Sequence, residues 1–377
     1  MSELQLRGDG RGRAVGYLGK LREQMCTPML TTALRDMQWR LRRFIIAAIG
    51  TGMVFALTLI ITGLTHGFRV EAQRVVDSLG IDTYLIQVGA VGPFMGSSRF
   101  PEAETQAIAR LPGVESAIPV VYGNTILQDP RSPQNVNVYG VPEQGLGMPP
   151  IAAGRAPSNL GEVAMSNTLG RPIGGDVEMG AEMLRIVGLV DKSTTLAGQP
   201  NAFLTVAGAQ RLMFSGQPVV SAIGLRGTPT QIPAGYRLVD RRAAVDDMVR
   251  PLHGAHLAMS YMAILLWAVA ALIVGSLIYL SALERTRDFA VFKALGVATH
   301  SVLTGLMLQA VLVALVAAVL GGLLAVVLGP LFPMLVVVTT STFLSLVATA
   351  VVIGLLASLA GVRRAVAVDP VLAFGGS

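Results

Sequence analysis

Few side chains in this sequence have the types and spacing that chemistry needs. His253 and His256 stand three apart, as two metal-ligating imidazoles on a helix can. Pro251 and Gly254 are expected to break a helix there and no third ligand is nearby, so the pair reads as a solvated edge. Asp246 and Asp247 beside Arg250 could be an acid–base pair, but they read as a salt-bridged helical surface. Gly19-Lys20 lacks both the upstream Gly and the following hydroxyl of a phosphate loop, so ATP is not hydrolysed here in the P-loop manner. His66, near the outer end of an apolar run, needs no more than headgroups to face, and the scattered Met fit packing. What remains is contact chemistry. Residues 283–296 combine Leu283, Phe289, Phe292 and Leu295 with Glu284, Arg285, Arg287, Asp288 and Lys293 before Gly296.

The elements around that stretch explain it. It follows an apolar run ending near Leu280 and precedes one without Asp, Glu, Lys or Arg over 294–362, so it is a charged island between membrane segments. It lacks Pro and internal Gly, its apolar residues recur at intervals of three, and Gly296 sits where a helix stops. Arg285, Arg287 and Lys293 place it on the cytoplasmic side. Two readings are open: an amphipathic helix lying on the lipid surface, or a docking helix whose phenylalanines enter a groove on a cytosolic protein.

Composition favours an integral membrane protein: mean hydropathy is +0.60 and only 14% of residues are charged. The net charge of +6 is spread unevenly. Nine Lys and Arg face four acids over 1–43, whereas 68–256 holds fifteen against sixteen, so the excess marks the cytoplasmic face and is no nucleic-acid footprint. The single cysteine, Cys26, allows no intrachain disulfide. Residues 1–30 read as a mobile arm without the marks of a cleaved leader. A basic amphipathic helix with Trp39 at its edge is expected to follow.

Four spans are predicted, at 44–68, 257–281, 300–329 and 340–362, the last two divided by Pro330 and Pro333. Gly63 and Gly67 form a small-x-x-x-small pair that could admit a neighbouring helix. No span contains Asp, Glu, Lys or Arg, which argues against an ion-coupled carrier. Between the first two spans, 69–256 is predicted to form stalks and an α+β domain outside the cell, with Ser98 exposed there. Its strands are expected at 83–88, 119–127, 135–141, 162–166, 184–190, 202–206 and 219–225. Short helices are expected after Pro101 and at 207–214. The fold class is thus an α-helical integral membrane protein with a large α+β extracytoplasmic domain between its first and second spans. Residues 282–297 and 363–377 are assigned to the cytoplasm, as are both termini.

The run Glu284-Arg285-Thr286-Arg287-Asp288-Phe289-Ala290-Val291-Phe292-Lys293-Ala294-Leu295-Gly296 resembles the signature of the FtsX/MacB-like ABC transporter permeases. So do Leu111-Pro112-Gly113-Val114-Glu115, Gly161-Glu162-Val163-Ala164 and the closing Arg363-Arg364-Ala365 run, and the likeness is strongest to actinobacterial members. The resemblance implies that 31–43 is an elbow helix and 283–296 the coupling helix contacting an ATP-binding subunit. It further implies a permease homodimer in the plasma membrane, with ATP and Mg on the partner and no cofactor on this chain. Motion would pass to the outer domain for export or extraction of a substrate. The alternative is a non-transporting complex that regulates an extracytoplasmic partner such as a cell-wall hydrolase; an autonomous receptor would have no co-purifying ATPase.

Overall fold

An uncharged run without proline has one inexpensive conformation in lipid, the helix that satisfies its own backbone. In the computed structural model, which describes residues 41–96, 98–129, 132–284, 299–332 and 334–366, α1 runs Leu41–Ser78. At 1.5 Å per residue it is roughly 57 Å long, about twice a hydrocarbon core. It therefore continues well beyond its apolar part, and Gly80, at φ 67°, takes the left-handed position that ends it. Among the described residues three runs are long and apolar enough to cross a membrane: Phe44–Ser78, Arg241–Ser281 and Met307–Leu331. A shorter apolar stretch, Thr340–Leu356, opens a further helix.

The chain divides into two units. The first comprises 1–62, 261–329 and 338–377, and its described part is helical. It holds the first part of α1, most of α5 (His253–Glu284), and α6 (Thr299–Leu328) and α7 (Thr340–Val366). Small residues make its seams. A Cβ added at Gly321 on α6 would lie 2.7 Å from Phe55 Cβ and 2.9 Å from Gly52 O on α1. One at Gly354 on α7 would lie 3.1 Å from Ala310 O. Close backbone approach of this kind replaces hydrophobic drive where the solvent is itself apolar. Phe55 also meets Trp267 of α5 at 5.4 Å between ring centroids.

The second unit, 63–260 with 330–337, is the α+β part. Its strands are β1 Thr83–Gln87, β2 Phe100–Pro101, β3 Val114–Leu127, β4 Gln134–Gly140, β5 Ala153–Gly154, β6 Glu162–Ser166, β7 Asp176–Met179, β8 Glu182–Val190, β9 Thr194–Thr195, β10 Gln199–Leu204, β11 Val219–Val220, β12 Ala222–Gly227 and β13 Tyr236–Asp240. The main sheet runs β13-β1-β12-β3-β4-β10-β6-β8-β5. The long β3 joins its two halves, its first part pairing β12 (Ile118↔Gly224) and its second β4 (Tyr122↔Tyr139). The strand β7 pairs both β8 and β3, so six strands close on themselves; Gln128 N–H to Glu178 O (2.9 Å) and Gly180 N–H to Ile126 O (2.9 Å) complete the closure. Closure removes two sheet edges that would otherwise need covering. Leu127, Val136, Val163, Met179 and Ile186 are fully buried in one core. A second core joins the end of α1 (Val75, Val76, Leu79) to β1, β3 and α4 (Arg241–Val249).

Several expectations change. The strand expected at 202–206 is β10, which stops at Leu204 because Thr205 caps α3 (Val206–Phe214), its hydroxyl accepting from Gly208 N–H at 3.1 Å. The strand expected at 219–225 splits at Ser221 into β11 and β12, which belong to different sheets. The strands β7 and β13 were not expected; each offers only about two inward apolar residues. Gly254 breaks nothing, since α5 runs through it, and Pro251 sits in a 3-10 turn, Arg250–Leu252, just ahead. Gly67 admits no helix. An extended segment crosses there instead, with Val337 N–H donating to Gly63 O at 3.0 Å, and a Cβ on Gly67 would fall 1.7 Å from Leu335 O. Ser98 is 3% exposed and its hydroxyl accepts from Gln87 N–H, so it cannot serve as a surface label.

Candidate functional site

Of the stretch singled out for contact, Leu283 and Glu284 close α5, half-buried and exposed respectively. Arg285, Arg287, Asp288, Phe289, Phe292, Lys293, Leu295 and Gly296 lie outside the described residues, as do the elbow helix through residue 40 and Cys26. The described site is the other end of the same helix. From His253 to Glu284, α5 is one element of 32 residues, roughly 48 Å at the helical rise. At its start the 3-10 turn links it to α4, which is held within the second unit.

What holds it is a buried carboxylate. Asp240 caps α4 by accepting from Ala243 N–H at 2.7 Å, which fixes the face formed by Ala244, Val245, Asp247 and Met248 inward. Asp247 is 1% exposed, and its Oδ2 accepts from Phe94 N–H and Met95 N–H, both at 2.9 Å. Its Oδ1 has no hydrogen bond and lies 3.8 Å from Arg250 Nε. Gly92 is required beside it, for a Cβ there would lie 2.0 Å from the carboxyl carbon. A charged acceptor forms stronger amide bonds than a neutral one, so the loop 88–99 is tied to α4 at one point. The loop carries Phe94, whose ring meets Tyr84 at 5.4 Å, Tyr122 at 5.3 Å and Tyr139 at 6.0 Å in edge-on geometry. Burial pushes all three phenols above the usual tyrosine range, which keeps this cluster neutral.

Glu71 does the corresponding work on α1. It is 4% exposed and accepts from Thr194 Oγ1 at 3.0 Å and Gly198 N–H at 3.1 Å. Between those partners Leu196 (φ 50°) and Ala197 (φ 67°) are held left-handed, a conformation L-residues adopt only when their surroundings impose it. From Thr195 the hydrogen bonds continue inward to Asn137 (2.8 Å to its Nδ2) and Asn201 (2.8 Å to its Oδ1). Surface ion pairs add less: Arg69 meets Asp246 at 2.7 Å with both side chains more than half exposed, and Arg241 bonds Asp82 at 2.8 Å and Ile81 O at 3.0 Å.

The adjacent aspartates thus part company. Asp246 is the salt-bridged surface residue expected; Asp247 is an interior fastener. Glu71 was overlooked and Asp247 was wrongly assigned to the surface, although a signal existed: each is an acid on the apolar face of its helix, within Phe68, Ala72, Val75 and Leu79 or within Ala244, Val245 and Met248.

Comparison with known proteins agrees with this architecture. Residues 45–234 match the MacB-like periplasmic core domain and residues 260–370 the FtsX-like permease C-terminal domain. An uncharacterized ABC transporter permease of Mycobacterium bovis is 57% identical over 92% of this chain and 100% of its own length. Another, of Mycobacterium tuberculosis, is 54% identical over the same shares. The solved periplasmic region of MacB from Actinobacillus actinomycetemcomitans aligns with 45% of this chain and 94% of its own at 12% identity and a TM-score of 0.32, too low to argue a shared fold. The chain belongs to the FtsX/MacB-like family of ABC transporter permeases. Membership makes it a membrane protein whose complex includes an ATP-binding subunit.

Proposed function

We propose that this permease transmits ATP-driven motion from a separate ATPase subunit to its outer domain, for export or extraction of a substrate. The observation that carries the reading is the continuity of α5, which runs without a break from His253 to Glu284 and is joined by the turn Arg250–Leu252 to the helix that holds Asp247. On this proposal displacement at its Leu283 end is carried along the helix to a buried fastener and not to a loose loop. In this reading 283–296 is the coupling helix. Phe289 and Phe292 are its apolar anchors, with Glu284, Arg285, Arg287, Asp288 and Lys293 setting register by charge.

The permease is a homodimer with four spans per chain, multi-pass in the plasma membrane, with both termini cytoplasmic. This chain is non-catalytic and binds no cofactor; ATP and Mg sit on the partner. The absence of charged residues from 44–68, 257–281, 300–329 and 340–362 supports a machine that works on the outside without a polar tunnel.

The experiment is affinity purification of the tagged chain from its native membrane. ATPase activity should come with it and be lost with Phe292→Asp; retention of that activity by the variant ends the docking assignment. Topology is read separately at Ala234, on an exposed outer loop, where Ala234→Cys should react with an impermeant maleimide in intact cells. Protection there would invert the arrangement.

A further inference from the structure

We infer that the cavity between residues 65–69 of α1 and residues 246–256 binds an anionic amphiphile, an apolar tail bearing one phosphate or carboxylate head group. The cavity measures about 770 Å³ and lies wholly within the second unit. That is the upper part of the range for small-molecule sites and far more than a free anion fills.

Its lining has two characters. Phe68, Val249 and Leu252 give apolar wall, while Arg69, Arg250, His253 and His256 give donors. Among the described residues the only acid on the wall is Asp246, and Arg69 already holds it at 2.7 Å. Arg250 is different. Among the described residues its nearest carboxylate is Asp247, at 3.8 Å, whose other oxygen is spent on two backbone amides. A guanidinium 58% exposed and so weakly engaged keeps most of its planar fork of donors for a phosphate or carboxylate.

Position selects an amphiphile over a soluble anion. Thr65 and Phe68 end the uncharged run of α1, and the uncharged run that leads into α5 begins at Pro251, one residue past Arg250. The cavity therefore sits where charge resumes along both helices, the level at which a lipid-borne molecule changes from tail to head group. A metal is a poorer fit, since among the described residues no three His, Cys, Asp or Glu side chains converge to hold one. The inference does not need coupling to ATP and can fail or stand without it.

The test uses the full-length chain purified in dodecyl maltoside, with dodecyl phosphate as probe and native mass spectrometry counting bound copies. One saturable copy per chain is expected. Arg250→Gln should weaken it by about tenfold, as loss of a charge-assisted head-group contact does, while Arg250→Lys should keep it within about threefold. Arg226→Gln, an exposed change elsewhere, should leave it unaltered. Equal binding by the wild type and Arg250→Gln overturns the site, as does the absence of a saturable copy. Displacement by equimolar inorganic phosphate overturns the amphiphile in favour of a free anion, and displacement by dodecyltrimethylammonium overturns the charge preference.

Discussion

Each of the two units is packed internally by a different means. In the helical unit, bare backbone meets backbone: Gly321 lies against Gly52 and Phe55, and Gly354 against Ala310, with no buried charge among the described residues. In the α+β unit the distinctive contacts are buried carboxylates, Glu71 and Asp247, each receiving amides or hydroxyls from a loop. Lipid explains the contrast. A charge inside apolar solvent has no cheap partner, so packing must do the fastening; where water is at hand, a carboxylate can be buried on a few backbone amides or hydroxyls to define a single attachment.

The largest effect that would break this comparison is expected at Asp247. Asp247→Ala leaves Phe94 and Met95 N–H buried without an acceptor and should cost about 3 kcal/mol, lowering Tm by roughly 6–12 °C for a domain of this size. Asp246→Ala, one residue away, should cost less than about 0.5 kcal/mol. Thermal unfolding of the full chain in detergent measures both; equal effects would make the fastener an ordinary surface acid. Gly321→Leu comes next. It forces α1 and α6 apart and should cost roughly 1–3 kcal/mol, while hydrogen exchange of the amides of Phe94 and Met95 stays unchanged. Altered exchange there would show that the seams and the fasteners are not separate.

The smallest effect sharpens the electrostatic side. Arg155 beside Glu162, helped by Ser158 N–H, holds that carboxyl well below the usual carboxylate range. A carboxyl depressed on folding contributes stability that is present above its unfolded value of about 4.3 and is lost as pH falls toward the folded one. Glu162→Gln should therefore flatten the Tm profile on the acid side and leave little change in slope above about pH 6. Because Arg155 is mostly exposed, the shift should be minor beside that of Asp247→Ala.

Much of the architecture was written in local pattern. The apolar runs named helices, and alternation found β1, β3, β4, β6 and β8, because these segments bury a face whose period shows in the sequence. The strands β7 and β13 did not show, being short strands whose pairing comes from the partners that reach them. Of the candidate site, the charged island with Phe289 and Phe292 was legible from composition alone, as charges and aromatics between apolar runs that suit either a lipid surface or a docking groove. The extended segment over Gly67 and the split of 219–225 were not, because both depend on what another part of the chain brings alongside.

By itself, then, the sequence determined the long apolar helices and the mixed α+β part, consequences of solvent preference and of local spacing, while its motifs carried the resemblance to the family. The tertiary structure alone decided that Asp247 and Glu71 are fasteners while Asp246 is surface, and that Arg250 is left facing a cavity. Neighbouring acids have the same local chemistry, and what separates them is which amides and which water the fold places within reach.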